Sequence, residues 1–386
     1  MTTLAAWLHN IDPILIQFTE SIAVRWYGLS YIAAFACGYI FTKRIVTAGK
    51  STLTKYDVFD FIITSAIGVV LGGRLGYVLF YRPDLFVEFG DGFPYWGALQ
   101  VNNGGMSSHG GFLGVAFVVW WFSRKPRVAR ALSNQPDVKP VKHGFLHLYD
   151  LAAFTGAIGF FFGRIANFIN AELVGRVCSP DYGWAVKFPK ELHQHFINAY
   201  IHNKDHPVTP AAREAAVQSL RDMEPAVQQI GVSADAWQTA IQNGDSEVIR
   251  GTIDHLVVAI QQGGDKANAI GAVVDPLLLP HYPSQLFAAF LEGLLVFIVL
   301  AVVWRKPRKP GVIAGLFGLC YGVMRIIDET WRAPDAHIAN AEFAAVGITR
   351  GQLLSIFMAV LGAVLVWWSA RRNVERVGGW SKIKSA

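Results

Sequence analysis

Apolar residues in this chain run in long, nearly unbroken stretches rather than in the narrow stripes of soluble helices. A transmembrane helix needs about 20 mostly apolar residues. Seven segments fit, at roughly 24–42, 58–80, 105–122, 148–169, 283–304, 312–330 and 352–370. Leu286–Trp304 and Leu353–Ser369 are almost free of charge, whereas 105–122 opens on Ser107, Ser108 and His109. Met1–Glu20 lacks the basic start and small-residue cleavage site of a signal peptide, so no cleavage is expected. Leu4–Ile16 reads as a short interfacial helix.

Basic residues orient the spans. With the N-terminus outside, the segments after spans 1, 3, 5 and 7 lie inside. They hold 19 of the 34 Lys and Arg against three acids, Asp57, Asp137 and Glu375. The opposite side is acidic, and 170–282 carries eight basic and thirteen acidic residues. Within it, Pro210–Ile230 and Ser233–Gly263 read as amphipathic helices, from Ala212, Ala216, Leu220 and Met223, and from Ile249, Ile253, Leu256 and Ile260. Ser233 is placed to cap the second. The expectation is an all-α integral membrane protein with seven transmembrane helices, N-terminus outside and C-terminus cytoplasmic. A helical extracytoplasmic insert separates spans 4 and 5. The parts are 1–189 (spans 1–4 with the interfacial helix), 190–280 (the insert) and 281–386 (spans 5–7 and a basic cytoplasmic tail).

Composition narrows the class. Of 386 residues, 53% are hydrophobic and 16% charged, with mean hydropathy +0.33, which argues against an ordinary soluble enzyme and excludes a disordered chain. Three Cys exclude a disulfide scaffold or Cys-rich zinc array. The net charge of +6 is explained by the inside-facing loops, so nucleic acid is not an expected partner.

Ionisable residues inside spans are costly and tend to be paired or functional. An unusual set stands out here: Arg74, His109, Arg164, Glu292, Arg325, Asp328 and Glu329. Given the orientation, all but the more central Glu292 fall in the extracytoplasmic half. At about 100° per residue, Tyr321, Arg325, Glu329 and Arg332 share one helical face. An Arg325–Glu329 pair accounts for two of these charges but leaves Arg74 and Arg164. Excess arginine suits an anionic ligand, since guanidinium grips phosphate in a fork, and a phospholipid headgroup is the obvious anion here. Gly68, Gly72 and Gly76, like Gly110 and Gly114, have the spacing of close helix packing. His109, the one histidine within the spans, is a candidate general base. No protein nucleophile or metal-binding pattern is evident, so a nucleophile would come from a substrate.

Several segments resemble the bacterial prolipoprotein diacylglyceryl transferase family. They include Arg25-Trp26-Tyr27-Gly28, Gly72-Gly73-Arg74-Leu75-Gly76-Tyr77 and Gly104-Gly105-Met106-Ser107-Ser108-His109-Gly110-Gly111. Gly163-Arg164-Ile165-Ala166-Asn167-Phe168-Ile169-Asn170-Ala171-Glu172 is the most specific. Gly175-Arg176, Pro283-Ser284-Gln285-Leu286, and Tyr321-Gly322 through Arg325, Glu329 and Arg332-Ala333-Pro334-Asp335 follow in order. Three departures stand out: Tyr282-Pro283-Ser284-Gln285-Leu286-Phe287-Ala288 where the family usually reads His-Pro-Ser-Gln-Leu-Tyr-Glu, an insert at about 190–280 far longer than usual, and a Val128–Phe145 loop that is also far longer.

The resemblance implies an inner-membrane enzyme of lipoprotein biogenesis. It would move the diacylglyceryl group of phosphatidylglycerol to the lipobox cysteine thiol of a preprolipoprotein and release glycerol 1-phosphate. It implies Arg164 and Arg325 as the essential pair, with His109 the candidate base. Tyr27, Arg74, Asn167, Asn170, Glu172, Tyr321, Glu329 and Arg332 would bind or orient substrate, and no metal or cofactor is implied. The alternative is an organic-anion or lipid transporter built on the same arginines. That reading expects repeats and polar residues on both sides of the midplane, which the sequence lacks.

Overall fold

The computed structural model describes residues 6–19, 23–80, 82–90, 94–100, 105–124, 144–201, 208–333 and 348–380, and the side chains of Ser108, His109 and Arg350 lie outside this description. So do Gly104, Pro334, Asp335 and the basic segment 125–142.

The long helices are α1 (Trp26–Thr47), α2 (Asp57–Phe80), α3 (Ser108–Arg124) and α4 (Phe145–Ile169). The insert supplies α5 (Leu192–Tyr200), α6 (Pro210–Asp222), α7 (Glu224–Gln229), α8 (Ala234–Asn243), α9 (Ser246–Gln262) and α10 (Gly264–Val274). Then come α11 (Ser284–Val303), α12 (Val312–Asp328) and α13 (Arg350–Arg371). Among the described residues, five helices are long and apolar enough to cross a membrane: α1, α2, α4, α11 and the Gly351–Arg371 stretch of α13. Helices α3 and α12 are apolar but only 17 residues each.

The fold is not wholly helical. Strands β1 (Trp7–Leu8) and β4 (Val186–Lys187) pair in parallel, and β2 (Ile14–Gln17) and β3 (Ala23–Arg25) pair antiparallel. The interfacial helix expected over Leu4–Ile16 is therefore corrected. Pro13 removes a helical donor, and the β-branched pair Ile14 and Ile16 suits the hairpin.

The chain forms two compact units. One comprises Met1–Ser30, Arg164–Ala288 and Asp328–Glu342. Its helical core joins Leu192, Phe196, Leu220, Met223, Trp237, Ile249, Ile253, Leu256 and Ile260, with Leu8 of β1 packed against it. The insert faces expected from the sequence are thus buried, except that Ala212 is exposed. Each long segment is broken into two helices, at Met223 and at Gly244, whose φ of 64° is left-handed. The Ser233 hydroxyl accepts from the Ala236 amide and caps α8.

The other unit comprises Tyr31–Gly163, Ala289–Ile327 and Phe343–Ala386. Phe61, Leu148, Leu151, Phe154, Leu300, Trp304 and Phe317 lie in its core. Glycines let its helices touch backbone to backbone. A Cβ on Gly76 would lie 2.5 Å from the Gly110 Cα, and one on Gly72 would lie 2.6 Å from the Gly114 Cα. That is the close approach expected from the spacing in α2 and α3. A second glycine seam joins α12 to α13, where a Cβ on Gly322 would meet the Ser355 carbonyl at 2.6 Å and one on Gly362 the Gly315 carbonyl at 2.6 Å. The start of α12 is held from α4, where the buried Asp150 carboxylate accepts from the Gly311 and Ala314 amides, both at 2.8 Å. A carboxylate is favoured there because those amides have no intrahelical partner.

Candidate active site

Arg325 and Tyr321 lie one turn apart on α12. Tyr321 is buried among Phe160, Phe317 and Phe112, with ring centroids 4.8, 5.6 and 5.6 Å away. The Arg325 Nε lies 3.6 Å from Oε1 of Glu292, whose side chain is fully buried. Glu292 sits in a π-helical stretch, Ala289–Leu295, inside α11. There Gly293 brings the helix onto α4, since a Cβ would fall 2.5 Å from the Phe161 Cα. One-turn π segments are frequent at functional sites because the wider turn re-aims a side chain. Glu292 stood out in the sequence only as an ionisable residue near mid-span, and hydropathy carries no signal for the π turn.

Arg74 is 4% exposed. Its guanidinium donates to the carbonyls of Gly97 at 2.6 Å, Ala98 at 3.0 Å and Gly105 at 3.1 Å. It therefore ties the segment before α3 to α2. Gly105 has φ 79°, and a Cβ there would strike the Tyr77 ring. Its close approach is to that ring. The backbone of His109 lies in the first turn of α3, in the same unit as Arg74, Tyr321 and Arg325.

The first unit holds Tyr27, Arg164, Asn167, Asn170, Glu172, Glu329 and Arg332. Tyr27 and Arg164 are half-buried. Past the end of α4 the chain makes an unusual turn, with Ala171 at φ 50° and Leu173 at φ 54°. Left-handed backbone at non-glycine residues is strained and concentrates at functional sites. Between them, the Glu172 carboxylate accepts from Asn167 Nδ2 at 3.1 Å. The turn is fixed by side chains: Lys190 Nζ donates to the Asn170 carbonyl at 2.5 Å, Gln285 Nε2 to Glu172 at 2.6 Å, and Ser284 Oγ to Leu173 at 3.1 Å.

Glu329 and Arg332 correct an expectation. Helix α12 ends at Asp328, so Glu329 sits at its C-terminal cap and Arg332, four residues on, does not continue the face of Tyr321 and Arg325. Tertiary pairing stops the helix: Arg332 bridges Gly175, and the Trp331 carbonyl accepts from the Arg176 amide at 2.7 Å. Gly175 is required, because a Cβ would lie 3.0 Å from the Trp331 carbonyl and closer still to that of Tyr282. Glu329 and Arg332 are nonetheless buried. His281, next to the altered Tyr282, contacts the Gly175 carbonyl through Nδ1 at 2.7 Å and Glu191 through Nε2 at 2.5 Å. Burial lowers its pKa, but the Glu191 hydrogen bond and charge and the Gly175 carbonyl raise it more, so the net shift is upward.

With this geometry in view, sequence comparison supplies the class. Residues 13–368 match the family model for prolipoprotein diacylglyceryl transferase, and the chain belongs to that family. A relative from Bdellovibrio bacteriovorus is 43% identical over 380 residues, 97% of either chain, and is named phosphatidylglycerol–prolipoprotein diacylglyceryl transferase. Relatives of the same name from Neisseria gonorrhoeae (35% over 357 residues, 92% of this chain and 95% of theirs) and Paramagnetospirillum magneticum (32% over 378 residues, 97% and 99%) are also similar.

Proposed function

We propose that this chain transfers the diacylglyceryl group of phosphatidylglycerol to the lipobox cysteine thiol of a preprolipoprotein. The observation that carries this is the 43% identity, over 97% of both chains, to a relative named for that activity. The relatives named above are transferases, which favours transfer over transport. In the reaction the thiol loses its proton, the sulfur bonds to the terminal glycerol carbon, and the carbon–oxygen bond to phosphate breaks. The products are the thioether and glycerol 1-phosphate, and no metal or cofactor enters.

Arg164 and Arg325 stabilise charge gathering on the departing phosphate, a role suited to fixed cations in a dry site. His109 takes the thiol proton, because thiolate is the reactive form. Asn167, Asn170 and Glu172 orient the headgroup or Arg164. Tyr27, Tyr321, Glu329 and Arg332 bind or orient substrate, and Arg74 acts through the carbonyls it holds.

The chain is an inner-membrane protein of seven spans, N-terminus outside and C-terminus cytoplasmic, with its site in the extracytoplasmic half and the 190–280 insert outside. Five helices of spanning length support this, and α3 and α12, at roughly 25 Å each, approach the bilayer core thickness of about 30 Å. The test uses purified protein in detergent with phosphatidylglycerol and a lipobox peptide. A diacylglyceryl mass gain on the peptide cysteine, lost in folded Arg164→Ala and Arg325→Ala variants, is expected. No gain with wild type would overturn the reading.

A further inference from the structure

Three of the four carbonyls from Asn170 to Leu173 are held by side chains distant in sequence, from Lys190, Ser284 and Gln285. Gln285 is the most telling. It is 2% exposed, and its Nε2 faces the Glu172 carbonyl at 2.6 Å. That contact fixes the amide's orientation, since only the nitrogen donates. Its Oε1 is then buried with no hydrogen-bond partner among the described residues. An unmet buried acceptor costs stability, and an apolar side chain of the same shape avoids that cost. The turn it grips carries a second cost, the left-handed backbone of Ala171 and Leu173. Both costs serve one geometric result: the backbone of Glu172 is set where its carboxylate takes the Asn167 amide.

We propose that Gln285 is a positioning residue for the transfer reaction. By pinning the Glu172 carbonyl it sets the Ala171–Leu173 turn and, through it, the Asn167–Glu172 pair. Ser284 and Lys190 hold the same turn from its two ends. The proposal rests on the transferase reading above. A purely structural glutamine would be replaceable by an apolar residue of equal length without kinetic effect. A positioning glutamine would not, because the turn would relax around the bound headgroup.

Gln285→Met and Gln285→Glu separate these cases. Met keeps the length and removes both the donor and the unmet acceptor, and ionised Glu keeps the shape and lacks the donor. Three readouts are taken on the full-length protein in detergent: melting temperature, hydrogen exchange of peptides spanning 165–175, and steady-state transfer to a lipobox peptide. In Gln285→Met the melting temperature changes little, because removal of the unmet Oε1 offsets the Glu172 carbonyl left without its donor. The amides of Asn170, Ala171 and Glu172, bonded to the carbonyls of Ala166, Phe168 and Asn167, exchange faster, and other peptides do not. The kcat falls about tenfold or more while KM for phosphatidylglycerol moves less than about twofold. Gln285→Glu shifts exchange and kcat in the same directions.

Wild-type exchange in both variants overturns the proposal, as does faster exchange with an unchanged kcat. A parallel collapse of melting temperature and activity in both variants also overturns it, because it assigns Gln285 to folding. Absence of transfer by the wild type overturns the transferase reading instead, and the exchange data then decide the clamp alone.

Discussion

The carboxylate of Glu292 and the guanidinium of Arg325 meet at 3.6 Å, Oε1 to Nε, with the carboxylate fully buried. Removing one partner of a buried pair costs about 3–5 kcal/mol, because the other charge is left in a poorly solvating interior. Glu292→Gln preserves shape and removes charge. It is expected to lower the melting temperature in detergent and to slow peptide lipidation by more than about tenfold, the kinetic equivalent of 1.4 kcal/mol. Wild-type lipidation rates in this variant would separate the ion pair from the chemistry.

The glycine seam between α2 and α3 gives a position-specific prediction. Gly72→Ala is expected to destabilise strongly, because its methyl would fall within 2.6 Å of the Gly114 Cα and closer to the Gly110 carbonyl. Overpacking of this kind costs about 1–3 kcal/mol or more. Gly111→Ala has its nearest neighbour at 3.7 Å and is expected to be neutral. Thermal unfolding of the two variants side by side checks the contrast.

Arg74→Met removes three donors to the carbonyls of Gly97, Ala98 and Gly105. Hydrogen bonds from charged groups are worth about 1.5–3 kcal/mol each. The backbone at Gly97–Ala98 and at Gly105 should then become open to protease, with cleavage sites read by mass spectrometry. Unchanged resistance would mean that other contacts hold it.

His9 predicts an acid-sensitive component of stability. Burial lowers its pKa from 6.5 to about 4, against the opposing pull of its bond to the Phe168 carbonyl. The unfolded chain therefore binds a proton between pH 6.5 and 4 that the folded chain does not. The stability this neutral ring supplies is full above pH 6.5 and falls as pH drops toward 4. From pH 7 to pH 5 the loss is about 2 kcal/mol. His9→Gln keeps a donor and does not titrate, so its melting temperature should fall less over that range. His281 has the opposite sign: its pKa is raised, so its stabilisation is present at low pH and lost as pH rises through the folded value. His281→Gln isolates the two contributions.

The sequence carried the features that depend on period and composition. Glycines four apart announced the α2–α3 contact, and Ile249, Ile253, Leu256 and Ile260 announced the buried face of α9, because both are local patterns with one packing solution. Features set by distant partners were not legible. Helix α12 stops before Glu329 because Gly175 and Arg176 claim the backbone at Trp331 and Arg332. The β1–β4 pair joins residues far apart in the chain. Arg74 looked like a free cation for an anionic ligand, and only the folded backbone shows three carbonyls around it. The strained turn at Ala171 and Leu173 begins in the most specific stretch of the sequence and ends one residue past it, yet neither residue type advertises left-handed backbone.

Asp150 has a consequence at the far end of α12. Its carboxylate grips the helix at Gly311 and Ala314, and Arg325 lies 14 residues beyond Gly311, a rise of about 21 Å. A helix moored at one tip cannot slide along its own axis without breaking both hydrogen bonds. The mooring thus acts as a datum from which the elevation of the Arg325 guanidinium is measured out. A change at Asp150 would be felt as a displaced arginine two helix-thirds away rather than as a defect where it was made.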